Sequence, residues 1–201
     1  MDKLIADIKA VVFDLDNTLV SSDMDFQALR QQMGCPPQYD LLTFIDEIDC
    51  PIQTQAAHQQ VIDHEMSDAK SSEPMPGCIE FLKYLCQENL QTAIVTRNCE
   101  PATALKLEHN NITIEHVISR EHYPPKPDPT SLLALAEQWD YPCKHILYVG
   151  DYIYDLQAAD NAGMPSCLMT HGRDLDFADM ATIALPHLTD LHQLFIRHFN
   201  N

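Results

Sequence analysis

Val11-Val12-Phe13-Asp14-Leu15-Asp16-Asn17-Thr18-Leu19 sets two carboxylates one residue apart at the end of a short apolar run. The run Ile8 to Phe13 suits a buried strand and is too short for a helix of its own. Ionised carboxylates are costly to desolvate without a partner. Two together at a strand end ask for a cation, and hard oxygen ligands suit Mg²⁺. The same residues also read as a polar strand end or an Asx turn before a loop. The segment alone leaves both readings open, and the rest of the chain decides between them.

Outward from this stretch the chain has two textures. Residues 21 to 74 contain no convincing strand. Their apolar positions recur at helical spacing: Met24, Phe26, Leu29 and Met33, then Leu41 to Ile48, then Ala57, Val61, Ile62 and Met66. Pro36-Pro37 and Cys50-Pro51 break them into about three helices. From Pro76 onward, helix and strand alternate. Helices are predicted over Gly77–Glu88, Pro101–His109, Pro129–Trp139, Tyr154–Ala162 and Leu188–Phe199. Strands are predicted at Thr92–Thr96, Ile114–Ile118 and His145–Val149, with short edge strands at Ser166–Met169 and Thr182–Leu185. Alternation of this kind gives an α/β fold, a Rossmann-like parallel sheet with helices on both faces. The first strand belongs to that sheet, and the helical block interrupts it. The expected division is a core of 1–20 plus 75–201 and a small all-helical cap of 21–74, inserted after the first strand.

Composition excludes several classes. The chain has 201 residues and a formal charge of −18, from 30 acids and 12 bases. Such a surface repels phosphate backbones, so neither nucleic acid nor a polybasic membrane contact is expected. No apolar stretch approaches the roughly 20 residues of a membrane span, and the N-terminal residues predict no signal peptide. Seven cysteines without C-x-x-C spacing read as reduced thiols of a cytoplasmic protein. The five glycines allow neither G-x-G-x-x-G nor a P-loop, and no G-x-S-x-G or H-E-x-x-H occurs.

In an open parallel sheet, ligands bind outside the carboxyl ends of the strands. Three more polar groups fall at such ends or loops: Thr96-Arg97-Asn98, Gly150-Asp151 with Asp155, and Lys126 among prolines in Pro124-Pro125-Lys126-Pro127-Asp128-Pro129. Singly, each has a plain structural explanation. Thr96 ends a strand, Asp151 and Asp155 suit the start of the next helix, and Lys126 suits a solvated loop.

Taken in order, these segments resemble the haloacid dehalogenase superfamily of aspartate-nucleophile phosphohydrolases. Its four motifs are matched by Asp14-Leu15-Asp16-Asn17-Thr18, Thr96, Lys126 and Gly150-Asp151-x-x-x-Asp155. The resemblance spans the whole core, and the helical insert resembles the cap of the phosphoglycolate-phosphatase-like branch. Asn17 departs from the glycine of many members but tolerates the same left-handed backbone.

The resemblance implies a Mg²⁺-dependent phosphatase acting on a small phosphorylated metabolite. Asp14 would be the nucleophile and Asp16 the general acid and then base. The metal would be held by the Asp14 side chain, the Asp16 main-chain carbonyl and Asp151. Lys126 would bridge Asp14 and a phosphate oxygen, and Thr96 would donate to another. Thr18 would steady the loop carrying Asp16. Asp155 would orient either Lys126 or the metal shell. Asp16 also favours ester hydrolysis over dehalogenation, because a departing halide needs no proton. Phosphonate cleavage would want an amine in the cap, which offers only Lys70. A phosphomutase with the same motifs, and a non-catalytic binding or regulatory protein retaining the fold, are the alternatives.

Specificity is less legible. The cap carries ten acids against Arg30 and Lys70, which suits it poorly to gripping a second anionic group. Arg97 is the first candidate for contacting phosphate or the rest of a substrate, and Arg120 the second; both also suit surface ion pairs. Met24, Phe26 and Met33 read as cap core, with the mouth of the site as the other reading.

Overall fold

Val11 and Phe13 point to one face of the sheet and Ala10 and Val12 to the other, and all four are fully buried. A strand with both faces covered needs apolar side chains at every position, which is why the run is continuous rather than alternating. A computed structural model describes residues 2–37 and 39–199. In it, this strand, β1 (Ala10–Phe13), lies inside a six-stranded sheet with β2 (Gln91–Val95), β3 (His116–Ile118), β4 (Ile146–Gly150), β5 (Ser166–Met169) and β6 (Ile183–Leu185). The order is β3-β2-β1-β4-β5-β6 and every pairing is parallel.

The helices are α1 (Asp2–Ala6), α2 (Phe26–Met33), α3 (Leu41–Asp46), α4 (Pro51–Ser71), α5 (Cys78–Gln87), α6 (Glu100–His109), α7 (Thr130–Trp139), α8 (Ile153–Ala162) and α9 (Leu188–Phe199). On one face Val11 and Phe13 meet Phe81 and Leu85 of α5 and Leu191 and Phe195 of α9. On the other, Ala10 and Val12 meet Leu132 and Leu135 of α7 and Ala158 and Ala159 of α8. The predicted α/β core with helices on both faces is the observed one. One expectation is corrected. β5 is an inner strand, paired on both sides and buried throughout, so β3 and β6 form the edges. A short apolar run does not reveal how many neighbours it has. The helix α1 lay outside the sequence reading, its five residues being too few to show a helical period.

The cap is α2, α3 and α4. Asp25 and Asp40 cap the first two, their carboxylates accepting from Ala28 N at 2.8 Å and Thr43 N at 3.1 Å. Pro51 starts α4 at the position where its missing N–H costs nothing. Leu29, Cys35, Leu41, Ile45 and Val61 form a cluster separate from the two that flank the sheet, with Met24 and Met33 packed on it. The chain leaves and re-enters the core through neighbouring segments. Ser21 N donates to Glu73 O at 2.8 Å and Met75 N to Leu19 O at 2.9 Å.

Gly150, the last residue of β4, has no room for a side chain. A Cβ there would lie 2.3 Å from Asp155 Cγ. Gly150→Ala is therefore expected to destabilise the protein by about 1–3 kcal/mol, as overpacking does. Urea denaturation reads this directly, and a midpoint equal to wild type would show that Asp155 moves aside freely.

Candidate active site

The ladder register levels the strand ends. Phe13 stands opposite Ile94 of β2 and Val149 of β4. Asp14, one residue further on, and Thr96 and Asp151, two residues further on, therefore emerge at the carboxyl edge. β1 is also where connections turn to opposite sides of the sheet, the place where such folds open a crevice. A cavity of about 300 Å³ lies there, between the sheet edge and the cap. Asp14, Asp16, Thr96, Arg97, Lys126, Asp151 and Asp155 all line it. Segments far apart in sequence have thus been brought to one place.

Lys126 is the hub. Its ammonium donates to Asp14 Oδ1 at 2.5 Å, Asp155 Oδ1 at 2.6 Å and Tyr148 Oη at 2.9 Å, which uses all three of its donors. Burial pulls its pKa down, but the carboxylates of Asp14 and Asp155 outweigh that and hold it above the usual lysine value. Asp155 sits in the first turn of α8, where its Oδ2 accepts from Tyr152 N at 3.0 Å. It therefore contacts Lys126 directly.

Asp14, Asp151 and Asp155 each offer a carboxylate oxygen, all within 4.8 Å of one another. Burial, together with the neighbouring acids, pushes Asp14 up to about 7 even though Lys126 opposes it, and pushes Asp151 up to about 8. Such acids are short of positive charge, and hard oxygen donors so arranged can coordinate a metal ion. Both oxygens of Asp155 are already engaged by protein donors, which leaves Asp14 and Asp151 as the freer ligands.

The Asp16 side chain turns away from this cluster. Its Oδ1 meets Lys106 Nζ, and its Oδ2 accepts from Asn98 Nδ2 at 2.8 Å. Lys106 is completely buried on α6 and also donates to Asp68 Oδ2 of α4 at 2.7 Å. Burial opposes its charge, but Asp16 and Asp68 keep its pKa above the usual value. Asn17 takes the left-handed backbone, φ 54°. The Thr18 hydroxyl is buried with no hydrogen-bond partner among the described residues. Main-chain bonds hold the loop, including Asn17 N to Val20 O at 2.6 Å.

Arg97 reaches the cavity wall but is committed to the protein. It donates to Asp40 Oδ2 of the cap at 2.5 Å and to Lys126 O at 2.8 Å, and lies 4.8 Å over the Tyr154 ring. Arg120 does not line the cavity; Glu65 of α4 takes its guanidinium. Phe26 is 44% exposed and lines the cavity mouth, so of the three residues read as cap core only Met24 and Met33 pack there. Arg30 also lines the cavity, its Nε buried and without a hydrogen-bond partner among the described residues, so one of the cap's two bases is placed at the site. Lys106, Asp68, Tyr148 and Asp40 were not singled out in the sequence. They sit within ordinary helix, strand and turn patterns, and only Asn98 had a signal, its place in the polar strand end after β2.

Residues 11–169 match the family model described as haloacid dehalogenase-like hydrolase. An uncharacterized hydrolase of Saccharomyces cerevisiae is 26% identical over 197 residues, covering 93% of this chain and 90% of its own. A phosphoglycolate phosphatase of Thiobacillus denitrificans is 28% identical over 193 residues, covering 82% and 84%. The crystal structure of a hydrolase from Pseudomonas syringae superposes with a TM-score of 0.74 at 20% identity, covering 96% of this chain and 98% of that one.

The raised acids predict how pH acts on the metal-free protein. Asp14 and Asp151 rise from 3.8 to about 7 and about 8, so between those limits the native state binds more protons than the unfolded chain. Stability then falls as pH rises through that window. Urea midpoints measured in chelator at several pH values between 5 and 8 should decline. Excess Mg²⁺ should flatten the decline, because a cation binds the ionised acids of the folded state. A flat profile in chelator would mean the acids ionise without penalty.

Proposed function

Because the chain belongs to the haloacid dehalogenase-like hydrolase family, we propose that it is a Mg²⁺-dependent phosphatase that hydrolyses a small phosphomonoester through an aspartyl-phosphate on Asp14. The observation that carries this reading is the Asp14 carboxylate itself. It stands at the end of β1, fixed by Lys126 and facing a cavity beside Asp151.

In this reading Asp16 carries a proton in the substrate complex; Asp14 Oδ attacks phosphorus, the bond to the alcohol oxygen breaks, and Asp16 gives that oxygen its proton. Asp16, now a carboxylate, takes a proton from water as the water attacks phosphorus. The bond to Asp14 breaks and inorganic phosphate leaves. Lys126 spreads its charge over Asp14 and an equatorial phosphate oxygen. Thr96, whose hydroxyl already accepts from Asn98 N at 3.2 Å, donates its proton to a second oxygen. Asp155 and Tyr148 keep the Lys126 ammonium aimed at Asp14. Asp14, Asp151 and the main-chain carbonyl of Asp16 would hold Mg²⁺, which would supply the charge that lets a carboxylate meet a phosphate dianion. Thr18 contributes through its place in the loop after β1.

The substrate reading is coarser. A cavity of about 300 Å³ closed over by the cap suits a small ester and leaves no room for a phosphoprotein. The similarity to a phosphoglycolate phosphatase supports a phosphate ester. Arg30, Arg97 and Phe26 line the part of the cavity nearest the cap and would meet the alcohol portion. The division into a core of 1–20 and 75–201 and a cap of 21–74 belongs to the same proposal. The cap excludes bulk water during transfer and opens for release.

Phosphate release from a panel of phosphomonoesters, with and without Mg²⁺, tests the reading. The panel spans phosphoglycolate, sugar phosphates, nucleotides and an aryl phosphate. Magnesium-dependent release is expected, with a loss of at least about a thousandfold in Asp14→Asn. Release that survives in Asp14→Asn would overturn the aspartyl-phosphate. No release from any ester by folded, Mg²⁺-binding protein would overturn the phosphatase in favour of a mutase or a non-catalytic protein.

A further inference from the structure

Lys106 has no part in the metal and phosphate cluster, yet it is one of the largest fully buried side chains in the protein. A buried ammonium is tolerated only where its donors are filled by charge-bearing partners. Two of its three donors are accounted for, one on Asp16 Oδ1 and one on Asp68 Oδ2 at 2.7 Å. The second oxygen of Asp16 is held as well, by Asn98 Nδ2 at 2.8 Å. Asn98 is in turn fixed against Thr96, through its own N–H and side-chain amide, at 3.2 and 3.3 Å from the Thr96 hydroxyl oxygen. Both oxygens of the Asp16 carboxylate therefore have an assigned partner, and neither partner is a ligand of the acid cluster around Lys126.

This arrangement fixes where Asp16 can point. An unrestrained aspartate two residues after Asp14 could turn toward Lys126 or toward a cation between Asp14 and Asp151. Lys106 and Asn98 hold it on the α6 side of the cavity instead, while Asp14 faces Lys126 on the other. A group that exchanges a proton with the leaving alcohol has to stand apart from the nucleophile, across the phosphorus. Resting on the phosphatase reading above, we propose that Lys106 and Asn98 are positioning residues that hold the Asp16 carboxylate on the leaving-group side of the cavity. Asp68, near the C-terminal end of α4, shares the Lys106 ammonium, so the setting of Asp16 is tied to the seating of that cap helix on α6.

The alternative is that Lys106 merely neutralises buried acids, and the nature of the leaving group separates the two. An alkyl alcohol leaves only with a proton, whereas 2,4-dinitrophenolate needs none. The full chain with Mg²⁺ is compared as wild type, Lys106→Met and Asn98→Ala on an alkyl phosphate and on 2,4-dinitrophenyl phosphate. For Lys106→Met, kcat on the alkyl ester is expected to fall about 100-fold or more, with KM within about twofold. The first turnover of the dinitrophenyl ester keeps its wild-type rate. It then gives a burst of one equivalent per site, because hydrolysis of the aspartyl-phosphate also needs Asp16. Asn98→Ala shows the same pattern to a smaller degree.

First turnovers slowed equally on both esters, or unchanged on both, overturn the proposal. Should Lys106→Met fail to fold through its stranded acids, Lys106→Met/Asp68→Leu removes one of them, and Asn98→Ala strands no charge; either carries the same test. Failure of the phosphatase reading looks different. Wild type would then release nothing from either ester, or Asp14→Asn would remain active.

Discussion

Three carboxylates crowd around one ammonium at the carboxyl edge of the sheet, and only two of them reach it. That imbalance governs the rest of the site. Lys126 satisfies Asp14 and Asp155 but does not reach Asp151 within hydrogen-bonding distance, and burial together with the neighbouring acids raises the pKa of Asp14 and of Asp151. A protein that bound nothing there would gain by replacing one acid with an apolar residue. The cavity beside them gives a cation access to Asp14 and Asp151. The backbone is fitted to this crowding. Gly150 lets Asp155 come closer than any Cβ would permit, and Tyr148 buries its ring below the sheet edge while its hydroxyl props Lys126.

The same device occurs twice. Lys126 stands between Asp14 and Asp155, and Lys106 between Asp16 and Asp68. Asp14, Asp155 and Asp16 line the cavity, whereas Asp68 lies outside it. A lysine rather than an arginine suits both places, because a compact ammonium can serve two carboxylates from one point, whereas a guanidinium needs a broad planar opening. The two acids of Asp14-Leu15-Asp16 are therefore split between two cations that come from unrelated parts of the chain, the loop before α7 and the middle of α6. The short-range pattern Asp-x-Asp supplies two acids, and long-range packing gives them different neighbours.

That split also explains what could be read in the sequence. The sheet was legible because a strand buried on both faces must be apolar throughout, and Val11 to Phe13, Ala93 to Val95 and Ile146 to Val149 are. The helices of the cap were legible from spacing and from Pro36-Pro37 and Pro51. Asp14, Asp16, Thr96, Lys126, Asp151 and Asp155 were legible as polar residues at strand ends and loops, where a fold of this class collects them. Lys106 was not, since a lysine on an amphipathic helix reads as solvated unless the helix packed over it is known. Its burial depends on α4, whose Asp68 lies 38 positions away. Arg120 misled for the same reason, because an arginine after a strand does not show that Glu65 will claim it. Pairings across the cap–core boundary depend on how two separately patterned units dock, and neither unit's pattern carries that information.

The character of that docking follows from where the apolar side chains go. Most of the cap's buried hydrophobic residues form a cluster of their own, distinct from the two that flank the sheet; Ala69 of α4 is buried outside it. Across the boundary the contacts include Asp40 with Arg97, Glu65 with Arg120 and with Cys99 N, Asp68 with Lys106, and Ser72 with Asn110. A continuous apolar interface would hold the cap down wherever it first touched. Paired charges act differently, since each has a definite partner and can be rehydrated when separated, so they specify one closed position without forbidding an open one. The pairs near the C-terminal end of α4, Glu65 and Asp68, are also the most buried of the set. Asp40, with its pKa lowered by the Arg97 guanidinium against the opposing effect of burial, lines the cavity. Separation is accordingly cheapest at the cavity end, where Asp40 meets Arg97, and costliest at α6, where Asp68 and Lys106 sit beside Asp16.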